Sequence, residues 1–386
     1  MDISELFPKE EQRQTLYCSE CGEPLDLIFG DFYEHVSGVD IGIAELPLLH
    51  CETCENDYLP EGSKFSIIKM HQEATEKSKD VVRCVRKKTN KTFNFGIAPF
   101  IYDSDDYYYI PGLLRTWDDG FLTPVFFNRR VLLKYDSAPA CQLRFASTTY
   151  GTIVCGDDSS IAFGINKYQN VTMWLGDIAR LPDEEQYYLR SENIPSDHSV
   201  GSEFYDGQIQ CIFTAVSRES ALFKSRSKFL EVCYSKFGVK LAKLDEEVLD
   251  LSARFNGPTV DTEKERRHVA DALNKMYLES FDKKSMREVV KCLGGDPTDL
   301  GSVKLLEKIM LLSGVKTNLS SLMCPFYVLY DLRVIYSHLG SSETEKMKLE
   351  SIRNRLGVSL VADIFEIYEA IATQLTSSFD QFTEAL

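Results

Sequence analysis

Two pairs of cysteines, Cys18-Ser-Glu-Cys21 and Cys51-Glu-Thr-Cys54, constrain this chain of 386 residues more than any other feature. Two residues between thiols let both sulfurs of a pair reach one tetrahedral metal ion at about 2.3 Å, and two such pairs close its coordination sphere. The ion this set suits is Zn²⁺, and its role is structural, because four thiolates leave no open position for a water. Two alternatives attach to the same spacing. A pair of disulfides is disfavoured in a reducing compartment, and a thioredoxin-like redox site would need a βαβ frame that the neighbouring sequence lacks. The 29 residues between the pairs carry Gly30, Gly38 and Gly42 among Tyr33, Val36, Val39, Ile41 and Ile43, which suits a short hairpin that brings the pairs together. The other cysteines, Cys84, Cys141, Cys155, Cys211, Cys233, Cys292 and Cys324, stand singly among apolar neighbours without ligand spacing.

Charge narrows the partners. With 43 Lys+Arg against 59 Asp+Glu the net charge is −16, the wrong sign for a protein that coats nucleic acid non-specifically. The excess is local: residues 1–80 hold 6 basic and 18 acidic side chains, whereas residues 218–386 hold 24 and 25. An acidic cysteine module, made more negative by four thiolates, fits a protein partner better than a phosphate. The opening Met1-Asp-Ile-Ser-Glu-Leu lacks the basic start of a signal peptide. The longest uncharged stretch, Thr317 to Tyr330, falls short of the ~20 apolar residues of a membrane span. A cytoplasmic protein without a membrane segment is expected.

Along the chain the pattern changes twice. From Val81 to Phe213 the text is strand-like, rich in Tyr, Phe, Val and Ile and punctuated by turns at Asp118-Asp-Gly120, Ala138-Pro-Ala140 and Gly156-Asp-Asp158. After Ser217 apolar residues recur at helical period, as in Leu222, Phe229, Val232 and Cys233, then Val269, Leu273, Met276 and Tyr277, then Leu305, Leu306, Ile309 and Leu312. Breaks at Asn256-Gly-Pro258, Gly294 to Pro297, Gly314 and Gly340 divide this part into five or six helices. The expected architecture is α+β in three parts: a zinc ribbon over 1–65, a strand-rich α+β domain over 81–217 and an all-helical domain over 218–386. The charged stretch around 62–80, with Glu73, Glu76, Lys77, Lys79 and Asp80, reads as an exposed polar connection.

The opening Tyr17-Cys-Ser-Glu-Cys-Gly22, the Gly-rich middle and the closing His50-Cys-Glu-Thr-Cys54 resemble the YgiT-type zinc ribbon found at the N-terminus of certain bacterial antitoxins. The likeness covers residues 15–62. In those antitoxins a helix-turn-helix DNA reader follows, whereas here the next segment is strand-like.

In the central segment Glu192, Asp197, His198 and Glu203 fall within twelve residues, a composition a hydrolytic metal site could use. The simpler reading is a helix opening at Leu181-Pro-Asp-Glu-Glu, followed by a polar turn at Pro195-Ser-Asp-His. Trp117, Trp174 and Tyr107-Tyr-Tyr109 could stack on bases, although aromatics in a strand-rich domain more often belong to its core. No phosphate-binding loop, dinucleotide fingerprint or nucleophile elbow occurs.

Near the C-terminus, Leu319 to Gly340 reads as one apolar helix, with Pro325 near its start and Gly340 as its stop. Two of its residues stand out, Arg333 and His338. This Arg-x-x-x-x-His on an apolar helix of a small helical domain resembles the HEPN superfamily, many of whose members are metal-independent ribonucleases. In the family pattern a polar residue usually follows the arginine, where this chain has Val334. The chemistry such a pair can supply is clear. A base takes the ribose 2′-OH proton, a cation stabilises the phosphorane and an acid protonates the leaving 5′-oxygen. Five positions at ~100° each set the two side chains about 140° apart on one helix, and the resemblance implies a homodimer with a composite site of Arg333 and His338 from both chains. It also implies RNA as substrate and a bacterial toxin or phage-defence role, with the ribbon docking a protein partner. The competing expectation is a non-catalytic adaptor that binds proteins through the ribbon and the helical domain.

Overall fold

The computed structural model describes residues 1–7, 15–156, 159–212, 216–315, 318–337 and 342–386. The protein is an α+β chain that divides into two compact units, Met1–Ala215 and Val216–Leu386.

The N-terminal unit opens with a long hairpin. Strand β1 (Asp26–Val36) pairs antiparallel with β2 (Val39–Cys51) around a tight turn at Ser37-Gly38, both of which take left-handed φ. Strand β3 (Asn56–Tyr58) pairs antiparallel with the end of β2, and β4 (Val81–Val85) pairs parallel with its beginning, from Asp40 to Ala44. Helix α1 (Glu61–Glu76) lies between β3 and β4 in sequence. It occupies the stretch expected as a polar connection. Its charged residues face solvent, but Ile67, Ile68 and Ala74 are buried in a small core with Phe32, Val36, Ile41 and Ile43 of the hairpin. That apolar stripe is what orders the segment as a helix.

The rest of this unit is built on a second sheet. Helix α2 (Ser104–Tyr109) precedes β5 (Pro124–Phe127), α3 (Leu132–Ser137), β6 (Cys141–Phe145), β7 (Tyr150–Cys155), β8 (Ser159–Ile165) and β9 (Val171–Trp174). Helices α4 (Leu175–Ile178) and α5 (Asp183–Glu192), strand β10 (Asn193–Ile194) and the short turn α6 (Glu203–Tyr205) follow. Six strands form an antiparallel sheet in the order β10-β5-β9-β8-β7-β6. The four-residue strands β5 and β9 are buried throughout, as central strands covered on both faces must be. Cys141 and Cys155, expected as single cysteines, lie opposite each other in the β6–β7 register and form a disulfide. A spacing of 14 residues gave no hint of the pairing, which the strand register creates.

The C-terminal unit is helical among its described residues. It comprises α7 (Arg218–Phe237), α8 (Asp245–Arg254), α9 (Glu263–Asn274) continuing into a π-helical turn (Lys275–Glu279), α10 (Lys283–Cys292), α11 (Ser302–Leu312), α12 (Leu319–Ser337), α13 (Ser342–Leu356) and α14 (Ile364–Ala385). Asp363 and Glu366 form a reciprocal capping box at the start of α14. The core gathers Phe229 of α7, Tyr277, Phe326 of α12, and Phe379 and Phe382 of α14, with ring centroids 5.4–6.2 Å apart along the chain of contacts. There are more helices here than the expected breaks announce: those breaks fall between α8 and α9, α10 and α11, α11 and α12, and α12 and α13, whereas the separations of α7 from α8, of the π-helical turn from α10, and of α13 from α14 were not among them.

Candidate metal centre

The β1–β2 hairpin and its flanks place the four cysteines together. A bridge between Tyr17 and Pro24 closes the first Cys-x-x-Cys turn, while the second follows directly from the end of β2 and leads into β3. The two turns are built alike. In each, the residue four positions after the first cysteine, Gly22 or Glu55, has a left-handed φ (77° and 57°) and donates its N–H to that cysteine's carbonyl at 2.9 Å. This winds both backbones so that the thiols converge. All four Sγ atoms lie within 4.8 Å of one another, and Cys21 and Cys51 are 3.5 Å apart. The set could hold a metal ion.

Electrostatics point the same way. Cys18 is pulled down to about 6, chiefly by the Tyr58 hydroxyl 3.3 Å from its sulfur and next by backbone N–H groups. Cys54 is pushed up to about 12 by the Cys21 thiol and by burial. A cation at their centre would favour the thiolate form of its ligands. Tyr58 also receives the Ser19 N–H at 3.2 Å, which ties β3 to the first turn. Beside the second turn, Lys167 bonds Glu52 at 2.8 Å and Asp26 at 2.5 Å, and the Tyr168 hydroxyl reaches both carboxylates. The β8–β9 connection thus anchors the cysteine module and partly offsets its acidity.

Gly22 carries a testable consequence. A Cβ there meets nothing within 4 Å, so only its left-handed φ opposes a side chain. Gly22→Ala should weaken metal affinity by roughly tenfold, matching the ~1–2 kcal/mol of left-handed strain, as read by competition with a chromophoric chelator. An unchanged affinity would mean that the turn does not need this φ.

The central candidates separate. Glu192 pairs with Arg130 at 2.5 Å, Asp197 accepts from Asn166 and Asn170 at 2.7 and 2.8 Å, and Glu203 accepts from Thr149. His198 turns elsewhere, to Asp106 of α2 at 2.7 Å. These four side chains have four different sets of partners, and the only His/Cys/Asp/Glu group with metal-site geometry among the described residues is the cysteine cluster. Trp174 is buried against Phe204 with ring centroids 4.8 Å apart, and Tyr107 is buried, whereas Trp117 is 80% exposed.

The His198–Asp106 pair lay beyond the reach of spacing, since 92 residues separate its members. Asp106 is fully buried and takes a second hydrogen bond from Ser196 Oγ at 2.7 Å. Burial works against a charged His198, but Asp106 and then Asp103 outweigh it and raise the ring above its ordinary value. A raised histidine adds stability that is present below about pH 6.5 and lost as pH climbs through the folded value. In Asp106→Asn, the His198 NMR titration midpoint should move down and that loss of stability should disappear. A midpoint unaffected by the substitution would show that the pair does not control the ring.

In the C-terminal unit Arg333 stands on α12, its side chain 39% exposed, with Nη1 2.8 Å from Glu279 and Nε 3.8 Å from Asp271. Asn274 donates to the same Glu279 oxygen at 2.9 Å. Asp331, the nearer acid in sequence, is taken by Arg355 at 2.5 Å. His338 lies outside the described residues. No helix among the described residues is long and apolar enough to cross a membrane.

No family model matches the chain, and searches of curated proteins and of solved structures return no match.

Proposed function

We propose that the chain is a HEPN-like, metal-independent endoribonuclease of bacterial toxin or phage-defence type, with Zn²⁺ as the ion of its four-cysteine centre. In this reading residues 1–65 form a zinc ribbon that docks a protein partner, 81–217 a strand-rich domain and 218–386 the RNA-cleaving helical domain. The ion is structural, since the four thiolates of Cys18, Cys21, Cys51 and Cys54 would fill its coordination sphere. The observation that carries the reading is Arg333. On a helix whose Met323, Phe326, Leu329 and Leu332 are core, it keeps a reachable guanidinium held by Glu279. Arg333 would stabilise the phosphorane, and His338 would move the protons of the 2′-hydroxyl and the 5′-oxygen, with two copies of the chain completing the site across a dimer. Cleavage of RNA by the purified chain, and its loss in Arg333→Ala and His338→Ala, tests this.

The adaptor reading has its own support. The Glu279 carboxylate already neutralises Arg333, and a guanidinium so paired is also what an inert structural ion pair looks like. A chain that binds a protein through its acidic cysteine module and never cleaves RNA would establish that reading instead.

A further inference from the structure

Helix α7 turns Leu222, Phe229 and Cys233 to the core of the C-terminal unit, and Arg226 stands in the same stripe. It is 4% exposed. A guanidinium offers five N–H donors and keeps its charge when buried. Here Nη2 donates to Ser280 Oγ at 2.8 Å, Nε is buried without a partner, and no carboxylate lies within ion-pair distance among the described residues. The acid whose field reaches it, Asp245, is exposed and sits 3.7 Å from Lys240. The Phe223 ring, 5.8 Å from the guanidinium carbon, is weak compensation. An unpaired interior cation is among the costliest arrangements a fold can hold, so its missing counter-charge needs an explanation.

Ser280 Oγ is a neutral acceptor and brings no counter-charge. Ser280 spends its own proton on the Met276 carbonyl at 2.6 Å and so only steadies Arg226. Tyr277, in the π-helical turn, is 2% exposed and lies close enough to Arg226 for each to act on the other's charge. The Lys243 N–H bonds the Ser280 carbonyl at 2.9 Å, which seats the start of α8 here, and Leu244 at that start provides no side-chain cap for the helix's first amides. π-Helical turns of this kind recur at ligand sites.

We propose that Arg226 and the Tyr277 hydroxyl, braced by Ser280, form a receptor for a small oxyanion of the phosphate class. The anion supplies the charge Arg226 lacks and accepts from the guanidinium fork and the phenol together. This site is separate from Arg333 and does not depend on the ribonuclease reading.

Titration calorimetry of the full chain with inorganic phosphate, in chloride buffer of matched ionic strength, tests it. One saturable site per chain is expected. Arg226→Met, close in shape and free of the buried charge, should lose at least tenfold in affinity, and Tyr277→Phe should lose several-fold while leaving the core intact. Arg333→Ala should bind phosphate as the wild type does. Absence of saturable binding in the wild type, or affinity unchanged in both Arg226→Met and Tyr277→Phe, overturns the proposal. Should Arg226→Met fail to fold, Tyr277→Phe alone decides, and binding lost only in Arg333→Ala would place the anion at the other arginine and equally overturn it.

Discussion

Cys51→Ser should strip the metal from the N-terminal unit and unfold the part of it that the metal organises. A structural zinc contributes binding free energy on the order of 10 kcal/mol, comparable with the ~5–15 kcal/mol that holds a whole domain folded. The loss should still be local. Cys18 and Cys51 belong to the larger core of the unit, with Leu16, Leu25, Leu27 and Leu49, whereas the far end of the β1–β2 hairpin packs on α1 in a separate core of Phe32, Val36, Ile41 and Ile67. Hydrogen exchange should therefore speed up across residues 15–25 and 51–58 and remain slow around Val36 to Ile43. Elemental analysis should find one metal ion per wild-type chain and none in the variant, and a strong chelator should reproduce the exchange pattern. A wild-type protein without metal, or a variant whose 15–25 segment stays protected, would remove the metal from the account of this fold.

How much of this was legible in the sequence differs by the distance over which each feature is encoded. The cysteine pairs were legible because a Cys-x-x-Cys turn is local, and the glycines between them announce the hairpin that brings the two turns together. The change from strand to helical text near Ser217 falls beside the division between the two compact units at Ala215 and Val216, because periodicity is also a local signal. Helix α1 was missed for a physical reason. Its charged residues dominate composition, while Ile67, Ile68 and Ala74, with the buried Ser63 hydroxyl bonded to the Pro47 carbonyl, fix it to the hairpin, and three buried apolar residues in sixteen make a faint stripe.

Pairings made by the fold leave no such trace. Cys141 meets Cys155 only because β6 and β7 settle in one register, and His198 meets Asp106 only because α2 comes back against the segment after β10. The acid nearest Arg333 in sequence is Asp331, two positions away. Consecutive odd positions on a helix point to different sides, so Asp331 reaches Arg355 of α13 while Arg333 reaches Glu279, 54 residues earlier in the chain. The π-helical turn that delivers Glu279 and Ser280 to two different arginines has no recognised sequence signature.

That exchange of partners makes Glu279 the sharpest test of the proposed chemistry. A cation that stabilises a phosphorane typically contributes ~10²–10³ in rate, so Arg333→Ala should lower RNA cleavage by about that factor, and His338→Ala by at least as much, with melting temperatures near the wild type. Glu279→Gln separates the two readings of the same ion pair. It keeps the shape and the hydrogen bond to Asn274 but removes the nearer of the two carboxylate charges beside Arg333. If Arg333 meets phosphate, RNA affinity should rise in Glu279→Gln and its salt dependence should steepen, since one more cation becomes free to displace counterions. If Arg333 only fastens α12 to the π-helical turn, the substitution should cost no more than about 1 kcal/mol of stability, as half-exposed ion pairs do, and leave RNA binding unchanged. Cleavage that persists in both Arg333→Ala and His338→Ala, or is absent from the wild type across single-stranded and structured RNAs, would hand the C-terminal unit to the adaptor reading.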